Sequence, residues 1–103
     1  MKAMLVDENK NLVWTEVETP KIKADEVLVR VCAAALNRAD LLQRQGKYPS
    51  PPGCPEWMGL EIAGIVADTG EDVASWKVGD RVCALLGGGG YAEYAAVRRD
   101  MLM

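Results

Sequence analysis

Four of the eight residues at positions 48–55, Tyr-Pro-Ser-Pro-Pro-Gly-Cys-Pro, are proline. Each proline fixes φ and removes a backbone donor, so neither a helix nor an interior strand can run through the middle of this chain. The core must therefore be assembled from short elements on either side of a stiff loop, and such a loop is a good place to present side chains. Upstream, residues 2–6 and 12–17 are short β runs joined by the turn-rich Asp7-Glu-Asn-Lys-Asn11. Residues 20–25 form a polar connector. Glu26-Val-Leu-Val-Arg-Val-Cys-Ala-Ala34 is the strongest strand signal, rich in Val and interrupted by Arg30.

The pattern then changes to a short helix over residues 38–45. Asn37 is a good N-cap, and Asp40 falls at the third helical position, near the positive end of the helix dipole. Leu36 and Leu41 have the spacing of a hydrophobic staple. Gly46 supplies a left-handed stop. Past the proline-rich loop, residues 59–67 return to strand, with Gly64 placed for a bulge or a close backbone approach. A loop around Trp76 follows. Residues 80–86 and 91–97 read as a hairpin across Gly87-Gly-Gly-Gly90. Six or seven short strands with one helix predict a mainly-β, partly open barrel.

Composition narrows the class. A chain of 103 residues fits one small domain, and half of it is apolar, enough for a modest core. Twelve basic against fifteen acidic side chains leave −3, which argues against a nucleic-acid footprint. The clusters Arg38/Arg44/Lys47 and Arg98-Arg99 read as solvated faces. Asp7 and Glu8 interrupt the apolar start, so no secretory leader forms, and no run approaches the ~18 apolar residues of a membrane span. Cys32, Cys54 and Cys83 are odd in number and widely spaced, which points to free thiols and a cytoplasmic location. Cys32 and Cys83 lie in β-like runs and are expected as small core residues. Trp57 and Trp76 are expected as core or lid packing.

One motif is misleading. Gly87, Gly89 and Ala92 satisfy G-x-G-x-x-A, the dinucleotide fingerprint. That fingerprint works only between a strand and a helix, with an acidic residue ~20 positions on. Here Tyr91-Ala-Glu-Tyr-Ala-Ala-Val97 alternates like a strand, so a loop is the better reading.

Three blocks carry a larger resemblance: Ala35-Leu-Asn-Arg-Ala-Asp-Leu-Leu-Gln-Arg-Gln-Gly46, Gly59-Leu-Glu-Ile-Ala-Gly64 and Val78-Gly-Asp-Arg-Val82. In this order and spacing they resemble the catalytic domain of the medium-chain dehydrogenase/reductase superfamily. The resemblance implies a GroES-like, partly open β-barrel with one or two short helices, covering residues 1–103 and lacking the dinucleotide-binding domain. Zinc-dependent alcohol dehydrogenases of that superfamily have a metal-binding Cys and His where this chain has Asn37 and Leu60. The chain contains no His at all. Zinc needs converging Cys, His or carboxylate donors, and Glu61 alone cannot supply them. The resemblance is therefore to a zinc-independent branch. With Tyr48, Pro51-Pro-Gly53 and Ala84-Leu-Leu-Gly-Gly-Gly-Gly90, it is similar to the p53-inducible type of quinone oxidoreductase.

That resemblance implies hydride transfer from NADPH to a quinone or an activated alkene, in a homodimeric parent protein. The cofactor would be held mainly by the absent domain, whose contacts choose between NADPH and NADH. A zinc-free site needs preorganised donors for the reduced oxygen. Tyr48, at the mouth of the stiff loop, is the candidate catalytic donor and pocket residue; its alternative is a surface tyrosine that packs the loop. Asn37 matches a position near the nicotinamide and is the candidate cofactor contact, a role compatible with helix capping. Leu60 is the candidate pocket wall. Asp40 is accounted for by the helix start, and Glu61 by pairing with an Arg or amide. The chain alone is expected to hold half a site and to show no turnover. The rival readings are a stand-alone, non-catalytic β-barrel binding module and a co-chaperonin-like module. The second needs a mobile loop, and residues 48–55 are too stiff for one.

Overall fold

The computed structural model describes residues 1–45, 55 and 57–103. Gly46, Tyr48, Cys54 and most of the proline-rich loop lie outside the described residues. The elements run β1 (Lys2–Val6), β2 (Leu12–Glu16), β3 (Glu26–Ala34), α1 (Arg38–Arg44), β4 (Glu61–Thr69), β5 (Arg81–Leu85), β6 (Tyr94–Arg98) and a 3₁₀ turn (Arg99–Met101). β1 and β2 form a two-stranded sheet, and the other strands form an antiparallel sheet ordered β5-β4-β3-β6. Isolated bridges Ala3–Ala92 and Ala84–Leu102 fasten the chain around the open edges. The result is a mainly-β, partly open barrel, as predicted.

The β1–β2 turn is built from its polar residues. The Asp7 carboxylate accepts hydrogen bonds from the backbone of Asn9 (2.8 Å) and Asn11 (2.9 Å). Lys10 donates its N–H back to the Asp7 carbonyl and takes a left-handed φ of 65°. A type I turn closed by one left-handed residue is a common three-residue hairpin loop.

The core follows the two-residue period of the strands. Val27, Val29, Ile62, Val66, Val82, Ala84, Ala95 and Val97 fill the inward face, with Leu102 beside them. Burying each large aliphatic side chain stabilises by about 1.5–3 kcal/mol. Trp76 packs against this cluster, and its indole N–H donates to the Arg99 carbonyl at 3.2 Å. The same parity corrects the cysteine reading. Cys83 falls between buried Val82 and Ala84 and so points outward, and Cys32 sits at a register irregularity between Val31 and Ala33; both are exposed free thiols. Gly64 makes the expected close approach, since a Cβ there would overlap the Arg30 carbonyl oxygen.

The expected hairpin across the glycine tract does not form. β5 and β6 occupy opposite edges of the sheet, separated by β4 and β3. Gly88, Gly89 and Gly90 are buried and run against residues 57–59, with Gly89 N–H donating to the Trp57 carbonyl (2.8 Å) and Gly90 N–H to the Gly59 carbonyl (3.0 Å). The tract is a packed crossing segment, because the missing side chains let two backbones meet. The staple expectation also fails: Leu36 is 86% exposed and Leu41 61%.

Candidate functional site

The predicted residues that can be placed converge on one corner, where α1 begins beside the start of β4 and the end of the glycine tract. Asn37 is the N-cap of α1, in extended conformation (φ −128°, ψ 157°). Two residues before it, Ala35 donates its N–H to the Glu61 carbonyl at 3.0 Å. Leu60, next to Glu61, is half-buried and accepts the Leu86 N–H at 2.7 Å. Asn37 and Leu60 are thus held on adjoining strand and helix ends. Tyr48 lies outside the described residues.

The corner is braced by a pair that sequence reasoning missed. Asp40 is 3% exposed, the one buried charged side chain among the described residues. Its Oδ2 accepts the Asn37 backbone N–H at 2.8 Å, the returning half of a capping box. The same oxygen accepts the Tyr91 hydroxyl at 2.6 Å, and that hydroxyl also lies 3.4 Å from the Ala35 carbonyl. Asp40 Oδ1 is buried and accepts no hydrogen bond among the described residues. Burial, then the hydrogen bond to Asp40 and its negative charge, push the Tyr91 phenol well above its ordinary pKa of 10.0. Tyr91 therefore stays a neutral donor. The sequence did carry one usable signal: an aspartate at the third helical position that packs inward needs a second donor, and a tyrosine directly after a glycine tract is free to approach.

Gly59 lets this arrangement close. Its φ is 113°, and a Cβ there would overlap the Tyr91 amide nitrogen and lie 2.6 Å from the Gly90 Cα. The Tyr91 N–H donates to the Met58 carbonyl at 2.9 Å, which fixes the ring that reaches Asp40.

Glu61 is half-buried and has no side-chain partner among the described residues, so the expected pairing with an Arg or amide does not appear. No group of three His, Cys, Asp or Glu side chains converges among the described residues. Trp57 is half-buried beside the glycine tract, and its indole N–H is buried without an acceptor among the described residues. Beside the corner, an apolar groove of about 370 Å³ is lined by Met4, Leu12, Trp14, Leu36 and Tyr91, among others. A larger cleft of about 430 Å³ passes Pro55, Lys23 and Arg98 and includes none of the predicted residues. No helix is long and apolar enough to cross a membrane among the described residues.

Residues 23–103 match the alcohol dehydrogenase GroES-like domain family. The chain is 41% identical to a quinone oxidoreductase of Sus scrofa over 87 residues, which cover 84% of this chain and 26% of that protein. It is 39% identical over 98 residues to the chloroplastic NADPH-dependent alkenal/one oxidoreductase of Arabidopsis thaliana, covering 85% of this chain and 25% of that one. Among solved structures, the quinone oxidoreductase of Pseudomonas syringae superposes with a TM-score of 0.83 at 32% identity, over 99% of this chain and 31% of that chain. The chain thus spans about a quarter to a third of the length of these relatives.

Proposed function

Because the chain belongs to the alcohol dehydrogenase GroES-like domain family, we propose that it is the substrate-side domain of a zinc-independent NAD(P)H oxidoreductase that reduces a quinone or an activated alkene. The observation that carries this reading is the braced corner. The Asp40–Tyr91 pair braces the Asn37 backbone with no Cys or His side chain in it, and the resemblance puts Asn37 and Leu60 at the positions of the metal-binding Cys and His of zinc-dependent members. Relatives named for quinone and for alkenal/one reduction support the acceptor class. When bound, NADPH would supply the hydride, and the protein supplies orientation and exclusion of water.

In this reading the Asn37 amide contacts the nicotinamide end of the cofactor, and Leu60 gives the pocket an apolar wall against a flat ring. Tyr48 donates its phenol proton toward the oxygen that gains negative charge. Binding the rest of the cofactor falls to a second domain of a cytoplasmic, homodimeric parent protein, so the isolated chain shows no turnover.

The test is a chimera in which this chain replaces the matching N-terminal quarter of the porcine quinone oxidoreductase. It should oxidise NADPH with a quinone or enone. Asn37→Ser, which keeps a good helix cap, should raise the KM for NADPH by roughly tenfold without loss of stability. Tyr48→Phe should lower kcat by on the order of 10²-fold. A folded chimera that binds NADPH yet reduces neither acceptor would overturn the proposal.

A further inference from the structure

The cleft of about 430 Å³ touches Ala96, Val97 and Arg98, and an adjoining cleft of about 220 Å³ touches Tyr94, Ala95 and Ala96. Together they follow all of β6. Successive side chains of a strand point to opposite faces, so a cavity that meets every residue runs along the backbone edge. Among the described residues β6 pairs only with β3. The far bank includes Leu85, at the end of β5. The cleft is thus the opening of the barrel, between the two outer strands of the sheet. The register shows which backbone groups face it. Arg99 N–H donates to the Asp25 carbonyl at 2.9 Å, and Val31 N–H to the Glu93 carbonyl at 2.8 Å. Hydrogen-bonded pairs alternate along an antiparallel ladder, so Ala95 and Val97 bond to β3. The N–H and C=O groups of Tyr94, Ala96 and Arg98 point into the opening. Such a row is a template for a further strand.

We infer that this opening binds an extended acidic segment of a partner protein, which adds a strand to β6 and sets its carboxylates against Lys21 and Lys23. The charge of the walls selects the occupant. Lys21 and Lys23 are exposed, line the cleft, and have no ion-pair partner among the described residues. The other charges on the walls are engaged. Arg98 pairs with Asp100 at 2.8 Å, and Glu26 Oε1 accepts the Lys23 backbone N–H at 2.8 Å. Leu85, 54% exposed, and Met101, 44%, receive apolar residues between the acidic ones. The backbone edge selects a peptide over a small anion, because an anion would leave the outward carbonyls of β6 unpaired. A second copy of this chain would bring the same lysines, so like charges would meet. Neither Asn37 nor Leu60 lines the opening, and the inference does not depend on the proposed chemistry.

Fluorescence anisotropy tests it, with the 103-residue chain and a labelled, end-capped peptide of about eight residues alternating glutamate and valine, long enough to cover β6. One added strand makes a small interface, so Kd should be on the order of 100 µM. The same peptide with lysine in place of glutamate should bind at least about tenfold more weakly, and Lys21→Glu with Lys23→Glu should reverse that preference. Both lysines are exposed, so the double variant should keep the circular dichroism of the parent chain. Amide exchange reads the backbone pairing. With the acidic peptide bound, Tyr94, Ala96 and Arg98 should gain protection, while Ala95 and Val97, already bonded to β3, stay unchanged. No binding at about 1 mM peptide, equal binding of the two peptides, or binding without the alternating protection would overturn the inference.

Discussion

At the residue scale, the site rests on one buried carboxylate with two donors. Tyr91→Phe removes the hydroxyl that Asp40 Oδ2 accepts at 2.6 Å. Bonds to charged groups contribute more than neutral ones, so the loss should cost about 1–3 kcal/mol in urea unfolding near neutral pH. The pH dependence has a definite sign. Burial and Asp40 raise the Tyr91 pKa in the folded state. The unfolded chain then gives up this proton first, near pH ~10, while the folded chain keeps it. Stability is fully present below that pH and falls as pH rises above it. Tyr91→Phe should flatten the alkaline limb, and an unchanged limb would separate Tyr91 from the effect. Asp40→Asn keeps an acceptor for both donors and should cost less than Asp40→Ala, which leaves the Asn37 N–H and the Tyr91 hydroxyl without their buried acceptor.

At the element scale, what could be read from the chain and what could not divides by the range of the interaction. The helix was legible because its signals are local: the Asn37 cap and Asp40 lie within its first turn, and the expected end at Gln45 falls one residue from the observed end at Arg44. β3 was legible for the same reason, with its run of Val and Leu ending at Ala34. The order of the strands was not. Turn residues suggest which strands are joined, but β5 and β6 are joined through the glycine tract and pair with β4 and β3 instead. The Asp40–Tyr91 pair spans 51 positions, so the pattern around either residue marks it as short of a partner without naming the other. The glycines repeat this lesson as a prediction. Gly59 and Gly79 both have positive φ, 113° and 99°. A Cβ at Gly79 meets nothing within 4 Å, whereas one at Gly59 runs into the Gly90–Tyr91 backbone. Gly79→Ala should therefore cost only the backbone strain, about 1–2 kcal/mol. Gly59→Ala should cost at least twice that, or prevent folding, because neither backbone can yield. Equal melting temperatures for the two variants would mean that the crossing segment is looser than the packing implies.

At the scale of the whole molecule, the chain combines a small buried core with several exposed large apolar side chains. Val27, Val29 and Val66 are fully buried, while Leu36, Leu41, Leu85 and Met103 are each more than half exposed. In the proposed reading, part of this surface faces a cofactor-binding domain. The relatives reduce their acceptors with chains three to four times longer than the matched region. The most direct measurement is the mass of the native protein in its source cells, captured by an antibody against this domain. The account predicts a species several-fold heavier than this chain, since a dinucleotide domain adds on the order of 100–150 residues or more. A native species of this chain's own size would contradict it and would favour a stand-alone binding module.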